Sequence, residues 1–185
     1  SGKRLQLLRL IVSGNGGTRA ELAFVRSIGD GQLQTPCGLA LRSVGGGGQT
    51  VLVAECGGHQ VSEWALDGSK IRTIGTGRIG SGDGELNWPM DVTVLPTSGH
   101  IAIADTMNHR VSIFHGDSAS FLRAFGSEGE EADGQFVGLC AIAAAAVGRA
   151  GLCSRLGHAS VPPAAGGDGG DGDDSDGGDG DDSDG

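Results

Sequence analysis

The apolar positions of this chain come in short runs separated by polar punctuation, not in helical stripes. In its central part, residues 90–94, 101–104, 111–114 and 121–125 are β-branched, aromatic or otherwise apolar, and Gly, Pro, Asn, Asp and Ser stand between them. Such runs predict strands and turns. None is long enough, or periodic enough at 3.6 residues, to predict a helix. In Ile101-Ala102-Ile103-Ala104 odd and even positions are equally apolar, so this strand is expected to be covered on both faces.

The same arrangement stands one unit earlier. Gly31-x-Leu33-x-x-Pro36 corresponds to Gly84-x-Leu86-x-x-Pro89, Val51-Leu52-Val53-Ala54-Glu55 to Ile101-Ala102-Ile103-Ala104-Asp105, and Ile71 through Gly75 to Phe121 through Gly126. The offset is 53 at the prolines and 50 at Ala54 and Ala104, and a loop of nine residues (42–50) against one of six (95–100) absorbs the difference. Loops are where repeated units take up insertions. Four short strands per unit, each sheet needing cover on both faces, describe the blade of a β-propeller.

The glycine-to-proline openings, the apolar-Ala-acid strand ends and above all Ala104-Asp105-Thr106-Met107-Asn108-His109-Arg110-Val111 resemble the NHL repeat. The resemblance covers roughly residues 1–142 and implies an all-β, incomplete propeller of four-stranded antiparallel blades. Its divisions are a partial blade over 1–29, blades over 30–75 and 81–126, and a partial blade over 127–142. In the first, Lys3 to Leu8 reads as strand three and Phe24 to Gly29 as strand four. In the last, Val137 is taken to stand where proline is expected, and an alanine run dissolves the pattern. Propellers have about four to eight blades, so the expectation is a piece of a longer propeller; the alternative is that the first and last half-blades join and identical chains supply the rest of the ring by symmetric assembly.

Residues 143–165 read as an Ala/Gly/Pro-rich linker and 166–185 as a disordered tail, because that tail is nine Asp, nine Gly and two Ser with nothing apolar to bury. It also carries most of the formal charge of −10: without its nine Asp, 14 acids face 13 bases. The Asp/Gly spacing imitates the start of calcium loops but lacks their closing glutamate and their inward apolar residue. The cysteines form no Cys-x-x-Cys pair. Cys37 and Cys56 fall at comparable strand ends of one unit, where a local contact is conceivable, yet buried free thiols are the expectation. No signal peptide or apolar span is evident, and a cytoplasmic protein is expected.

No catalytic, cofactor or metal residues are assigned. The histidines are scattered, and Asp105, Asn108, His109 and Arg110 are expected to hold the turn between strands two and three, with a charge-assisted hydrogen bond from Arg110 to Asp105. The function expected is non-catalytic binding of a macromolecule, foremost a protein, through loops at one propeller face. Trp64, Trp88, Met107 and Arg78 are the candidate contacts, with loops 42–50 and 75–83. The NHL resemblance keeps open single-stranded RNA as the partner, or a substrate-recognition piece of a ubiquitin ligase; less favoured is a peptidyl-amidating-lyase-like enzyme using metal-bound histidines. No membrane contact is expected, and self-association could complete the ring.

Overall fold

The structure is a computed structural model that describes residues 2–13, 19–129, 132–147 and 150–154. The Asp/Gly/Ser tail and its calcium-like spacing, together with the linker beyond 154, lie outside the described residues. A hairpin of β1 (Leu5–Ser13) and β2 (Arg19–Ile28) comes first. Two antiparallel four-stranded sheets follow. The first contains β3 (Pro36–Val44), β4 (Gly48–Glu55), β5 (Gln60–Ala65) and β6 (Lys70–Ile74), and the second β7 (Pro89–Val94), β8 (Ile101–Asp105), β9 (Arg110–Phe114) and β10 (Phe121–Phe125). Two-residue strands β11 (Ser127–Glu128) and β12 (Gln135–Phe136) pair in parallel, and a second hairpin joins β13 (Ala141–Val147) to β14 (Ala150–Ser154). Strand order within each sheet follows the chain, so each four-stranded sheet is a meander, and the fold is an incomplete propeller of such blades.

Stacking of the sheets explains why the second strands are apolar throughout. Leu52 and Ala54 of β4 join Val92, Ile101 and Ile103 in the core between the two blades. Val51 and Val53, on the other face of β4, pack with Trp64 and Ile28 toward the first hairpin. Ala102 and Ala104 of β8 face Leu139 on the far side. Burying one such aliphatic side chain contributes roughly 1.5–3 kcal/mol.

The first strands β3, β7 and β13 lie side by side, and their close approach needs a residue without a side chain. A Cβ on Gly38 of β3 would sit 2.6 Å from the Asp91 Cα and 2.8 Å from the Met90 carbonyl oxygen of β7. At the same strand position in the next blade Asp91 accepts the Ile142 backbone N–H of β13 (2.9 Å). The repeat also extends to backbone conformation. Thr35 (φ 54°) corresponds to Trp88 (φ 51°), and His59 (φ 50°) to His109 (φ 53°). All four occupy the left-handed region that residues other than glycine seldom adopt.

Several expectations need correction. The loop expected over 42–50 is largely strand, with only Gly45–Gly47 left as the turn, because the glycine run closes β3 directly onto β4. In the third unit the proline position belongs to Leu139, not Val137. Gly138 (φ 62°) takes the left-handed place of Thr35 and Trp88, and Leu139 is fully buried, as Pro89 is buried. The alanine run is strand β13, so sheet structure continues into the segment expected to be linker. Cys37 and Cys56 form a disulfide rather than free thiols. Cys37 opens β3 and Cys56 opens the turn after β4, and the antiparallel register brings those two ends together.

A buried carboxylate ties the blades together at the end of the sheets away from the disulfide. Glu63, in mid-β5, is 1% exposed and accepts Thr50 Oγ1 (2.6 Å), Arg42 (3.2 Å) and Arg72 Nε (2.6 Å). The same two arginines continue to the turn of the second blade: Arg42 to the Asp117 carboxylate, Arg72 to the carbonyls of Gly116 and Asp117. Burial alone would raise the Glu63 pKa, but the hydrogen bonds from Thr50 and Arg72, the charge of Arg72 and the bond from Arg42 outweigh it and hold the pKa below the usual value of 4.5.

Two measurements check this account. Gly38→Ala should destabilise the chain by about 1–3 kcal/mol in urea unfolding, as overpacking does, whereas Gly45→Ala, with open space around it, should leave the midpoint unchanged. Glu63→Gln should cost about 3 kcal/mol, since it leaves two arginines without their carboxylate. Because the folded pKa is the lowered one, the Glu63 contribution is complete above pH 4.5 and is lost as pH falls below it. Urea titrations in that range should show acid sensitivity in the native chain that Glu63→Gln lacks.

Candidate functional site

The turns after the second strands and the segments preceding the first strands converge on one end of the sheets, because Pro89 pairs with Asp105 and Pro36 with Glu55. In the second blade this end is organised around Asp105, which is fully buried. One carboxylate oxygen accepts the Asn87 backbone N–H (2.7 Å). The other accepts Asn108 Nδ2 (2.9 Å), Arg110 Nε (2.8 Å) and the Ser112 hydroxyl (3.3 Å). Asn108 and Arg110 reach onward to the inter-blade loop: Asn108 donates to the Gly80 carbonyl (2.8 Å), Arg110 to Ser81 (2.7 Å) and Glu85 (2.9 Å). The loop expected to vary, 75–83, is therefore tied to the octet beneath it.

His109 takes the left-handed turn position, and its Nε2 lies 4.0 Å from a Glu128 carboxylate oxygen. The first blade repeats the plan with fewer bonds. Fully buried Glu55 accepts the Gln34 N–H (2.6 Å) and Gln60 Nε2 (3.3 Å).

Three of the four candidate contacts lie at this end. Trp88 is 42% exposed and Met107 is 57% exposed. They are neighbours through the backbone, since the Met107 N–H donates to the Asn87 carbonyl (3.1 Å). Trp88 is held from the first blade: its N–H donates to His59 Nδ1 (3.2 Å), and the two rings meet edge to face at 6.3 Å. Arg78 is exposed on the tied loop.

Trp64 does not belong to this group. It is 1% exposed, donates Nε1 to the Ser62 hydroxyl (2.7 Å), and packs with Val51 and Val53. Its repeat partner Phe114 is equally buried, and that correspondence was the sequence signal for a core position.

The histidines are less scattered than the sequence suggested. At the opposite end His100 and His115 lie 5.1 Å apart, ring to ring, in a cleft of about 250 Å³ that also includes Arg42 and Asp117. His115 Nδ1 accepts the backbone N–H groups of Asp117 and Ser118, so that ring closes its own turn. His158 lies outside the described residues. Among the described residues no group of three or more His, Cys, Asp or Glu side chains is placed to hold a metal ion, and no helix is long and apolar enough to cross a membrane.

The stretch from Leu86 to Phe114 contains the Asp105 network and both flanking strands, and residues 86–114 match the family model of the NHL repeat. This chain carries an NHL repeat. It is also 39% identical over 71 residues to the RING finger protein nhl-1 of Caenorhabditis elegans, a stretch that is 38% of this chain and 7% of that protein. The chain thus spans a small fraction of that relative's length. Among solved structures, a crystal structure of a Bacteroides fragilis protein is similar at a TM-score of 0.41 and 18% identity, over 64% of this chain and 28% of the other.

The Asp105 network sets an order between the two NHL-type turns. Asp105→Ala should destabilise the chain by about 3 kcal/mol by stranding Arg110, and Glu55→Ala by about 1–2 kcal/mol, since only two hydrogen bonds are lost. Urea unfolding of the two variants side by side measures the difference.

Proposed function

We propose that this NHL-repeat chain is a non-catalytic module that binds a protein through the end of its blades carrying Trp88, Met107 and Arg78. One observation supports this most directly. Trp88 is left 42% exposed in a left-handed backbone conformation and is held there by His59 of the neighbouring blade. An exposed aromatic ring on a fixed backbone loses little entropy when covered, and Trp and Arg are enriched among the residues that dominate protein interfaces. The polar groups beneath favour support over chemistry, since Asp105, Asn108 and Arg110 are engaged with one another and with loop carbonyls.

A second reading rests on the likeness to a RING finger protein. In it, this end recognises the substrate of a ubiquitin ligase whose zinc-binding part lies in another segment or another chain.

The test is selection of a random peptide display library on the immobilised 185-residue chain, with single-stranded RNA oligonucleotides offered separately in fluorescence anisotropy. Selected peptides should lose at least about 30-fold in affinity for Trp88→Ala, the loss of an interface hot spot, while the thermal midpoint of the variant stays unchanged. Equal binding to both proteins, or tight RNA binding with no peptide selected, would sink the proposal.

A further inference from the structure

The disulfide lies at the same end of the sheets as Trp88, and we infer that it is a redox switch: opened by a thiol reductant, it releases the turn that holds the indole in place. The inference rests on the reading of this end as a binding surface and adds how that surface is regulated.

Comparing the two blades shows what the disulfide does. In the second blade the turn after strand two, Thr106–Asn108, is tied down by its own side chains. Thr106 Oγ1 donates to the Leu139 carbonyl (2.6 Å), and Asn108 Nδ2 donates to the Gly80 carbonyl (2.8 Å) and the Asp105 carboxylate (2.9 Å). In the first blade the same turn is Cys56-Gly57-Gly58. Glycine brings no side chain to bond with and gives the backbone its greatest freedom. The bond from Cys56 to Cys37, at the start of β3, stands in for the ties that Thr106 and Asn108 make.

His59 follows that turn directly. Its backbone is left-handed (φ 50°), and its N–H reaches the Cys56 carbonyl at 3.4 Å, against 3.1 Å for His109 and Thr106. A residue other than glycine keeps such a conformation only where its surroundings impose it. His59 Nδ1 in turn accepts the Trp88 N–H, and the two rings meet edge to face. The sequence of contacts from disulfide to indole is therefore a covalent bond, a two-glycine turn and one hydrogen bond.

The two sulfurs differ in access. Cys37 is exposed, whereas Cys56 is fully buried, with Met90 Sδ 3.4 Å from its sulfur. An external thiolate therefore attacks Cys37: the Cys37–Cys56 bond breaks, a mixed disulfide forms at Cys37, and Cys56 leaves as a thiolate and takes up a proton. A second thiol then displaces Cys37. In sum two thiols give two electrons and two protons to the chain and end as their own disulfide. The freed Gly57 and Gly58 let His59 leave its left-handed place, and the Trp88 N–H loses its acceptor. Met107, on the turn tied by Thr106 and Asn108, stays where it is.

The test follows the hydrogen bond itself, and this readout does not depend on any partner. Amide exchange by ¹⁵N NMR is compared in the oxidised chain and in millimolar dithiothreitol, with mass spectrometry after maleimide labelling to confirm two further thiols. The Trp88 amide should exchange at least about tenfold faster after reduction, as a locally opened site does. The amides of Asn87, bonded to Asp105, and of Ile103, in the core, should keep their protection. Cys37→Ser should show the fast Trp88 exchange with or without reductant. Peptides selected on the oxidised chain should bind the reduced one about tenfold more weakly, the fall expected when the held arrangement is about one-tenth populated. A disulfide that the folded chain keeps in dithiothreitol overturns the inference, as does unchanged Trp88 exchange after reduction. Loss of Asn87 and Ile103 protection together with that of Trp88 also overturns it, because the bond is then a staple of the whole fold. Faster Trp88 exchange with unchanged peptide affinity overturns the regulation; if no peptide is selected, the binding reading fails and the exchange result alone decides whether the disulfide controls Trp88.

Discussion

The structure depends on carboxylates buried at the junctions between sheets. Asp105 and Glu63 both lie out of water, and each is surrounded by donors that also reach the neighbouring blade or the loop leading from it. A charge in such a place is tolerable only when paired and hydrogen-bonded. The requirement is directional, because an arginine fork must arrive at a particular angle. Apolar stacking lets two flat sheets slide over one another; a carboxylate that needs a guanidinium from one side and a backbone N–H from another does not. The buried aliphatic side chains supply most of the cohesion, and the carboxylates set the angle and register at which the blades meet.

This division explains how the exposed end can carry a binding surface. Arg110 and Asn108 hold the loop that bears Arg78, and His59 reaches across the blade boundary to Trp88. The exposed side chains therefore rest on polar contacts that are already made. Such preorganisation lowers the entropy lost when a partner arrives. A sheet end built from loosely attached loops would bury the same area with less affinity.

Much of this was legible in the sequence, for a physical reason. A propeller blade is local: its four strands follow one another along the chain and pair with their neighbours, so turn residues and apolar runs fall in the order in which they are used. Residues 101–104, apolar on both faces, announced the two-sided stacking, and the octet around Asp105 announced its turn. The features missed are those that depend on neighbouring units. Trp64 looks like a contact residue until it is aligned with Phe114 across the repeat. Glu63 looks like an ordinary surface acid, although it stands where the second blade has Ile113, and its arginines come from two different strands. The alanine run lacks the β-branched residues that mark a strand, yet β13 pairs with β14, lies beside β7 and has its Ile142 N–H accepted by Asp91.

The disulfide shows which of these constraints are chemical and which are geometric. Cys37 and Cys56 occupy the repeat positions of Met90 and Thr106. In the first blade the bond joins the start of strand one to the turn after strand two, and Met90 of the next blade lies 3.4 Å from the Cys56 sulfur. In the second blade the Thr106 hydroxyl donates to the Leu139 carbonyl (2.6 Å) of the unit that follows. The Cys56 sulfur contact with Met90 and the Thr106 hydrogen bond to Leu139 therefore serve the same place in successive blades, while the disulfide itself stays within the first blade. What the fold demands there is that the turn be held against the next first strand, and residues as different as cysteine and threonine meet that demand. Asp105 and Glu55 differ in length but not in charge, so at the neighbouring position the carboxylate itself is what is kept. The repeat keeps the buried charge at the position of Glu55 and Asp105, exchanges the buried Glu63 for Ile113, and is permissive where only a distance must be spanned.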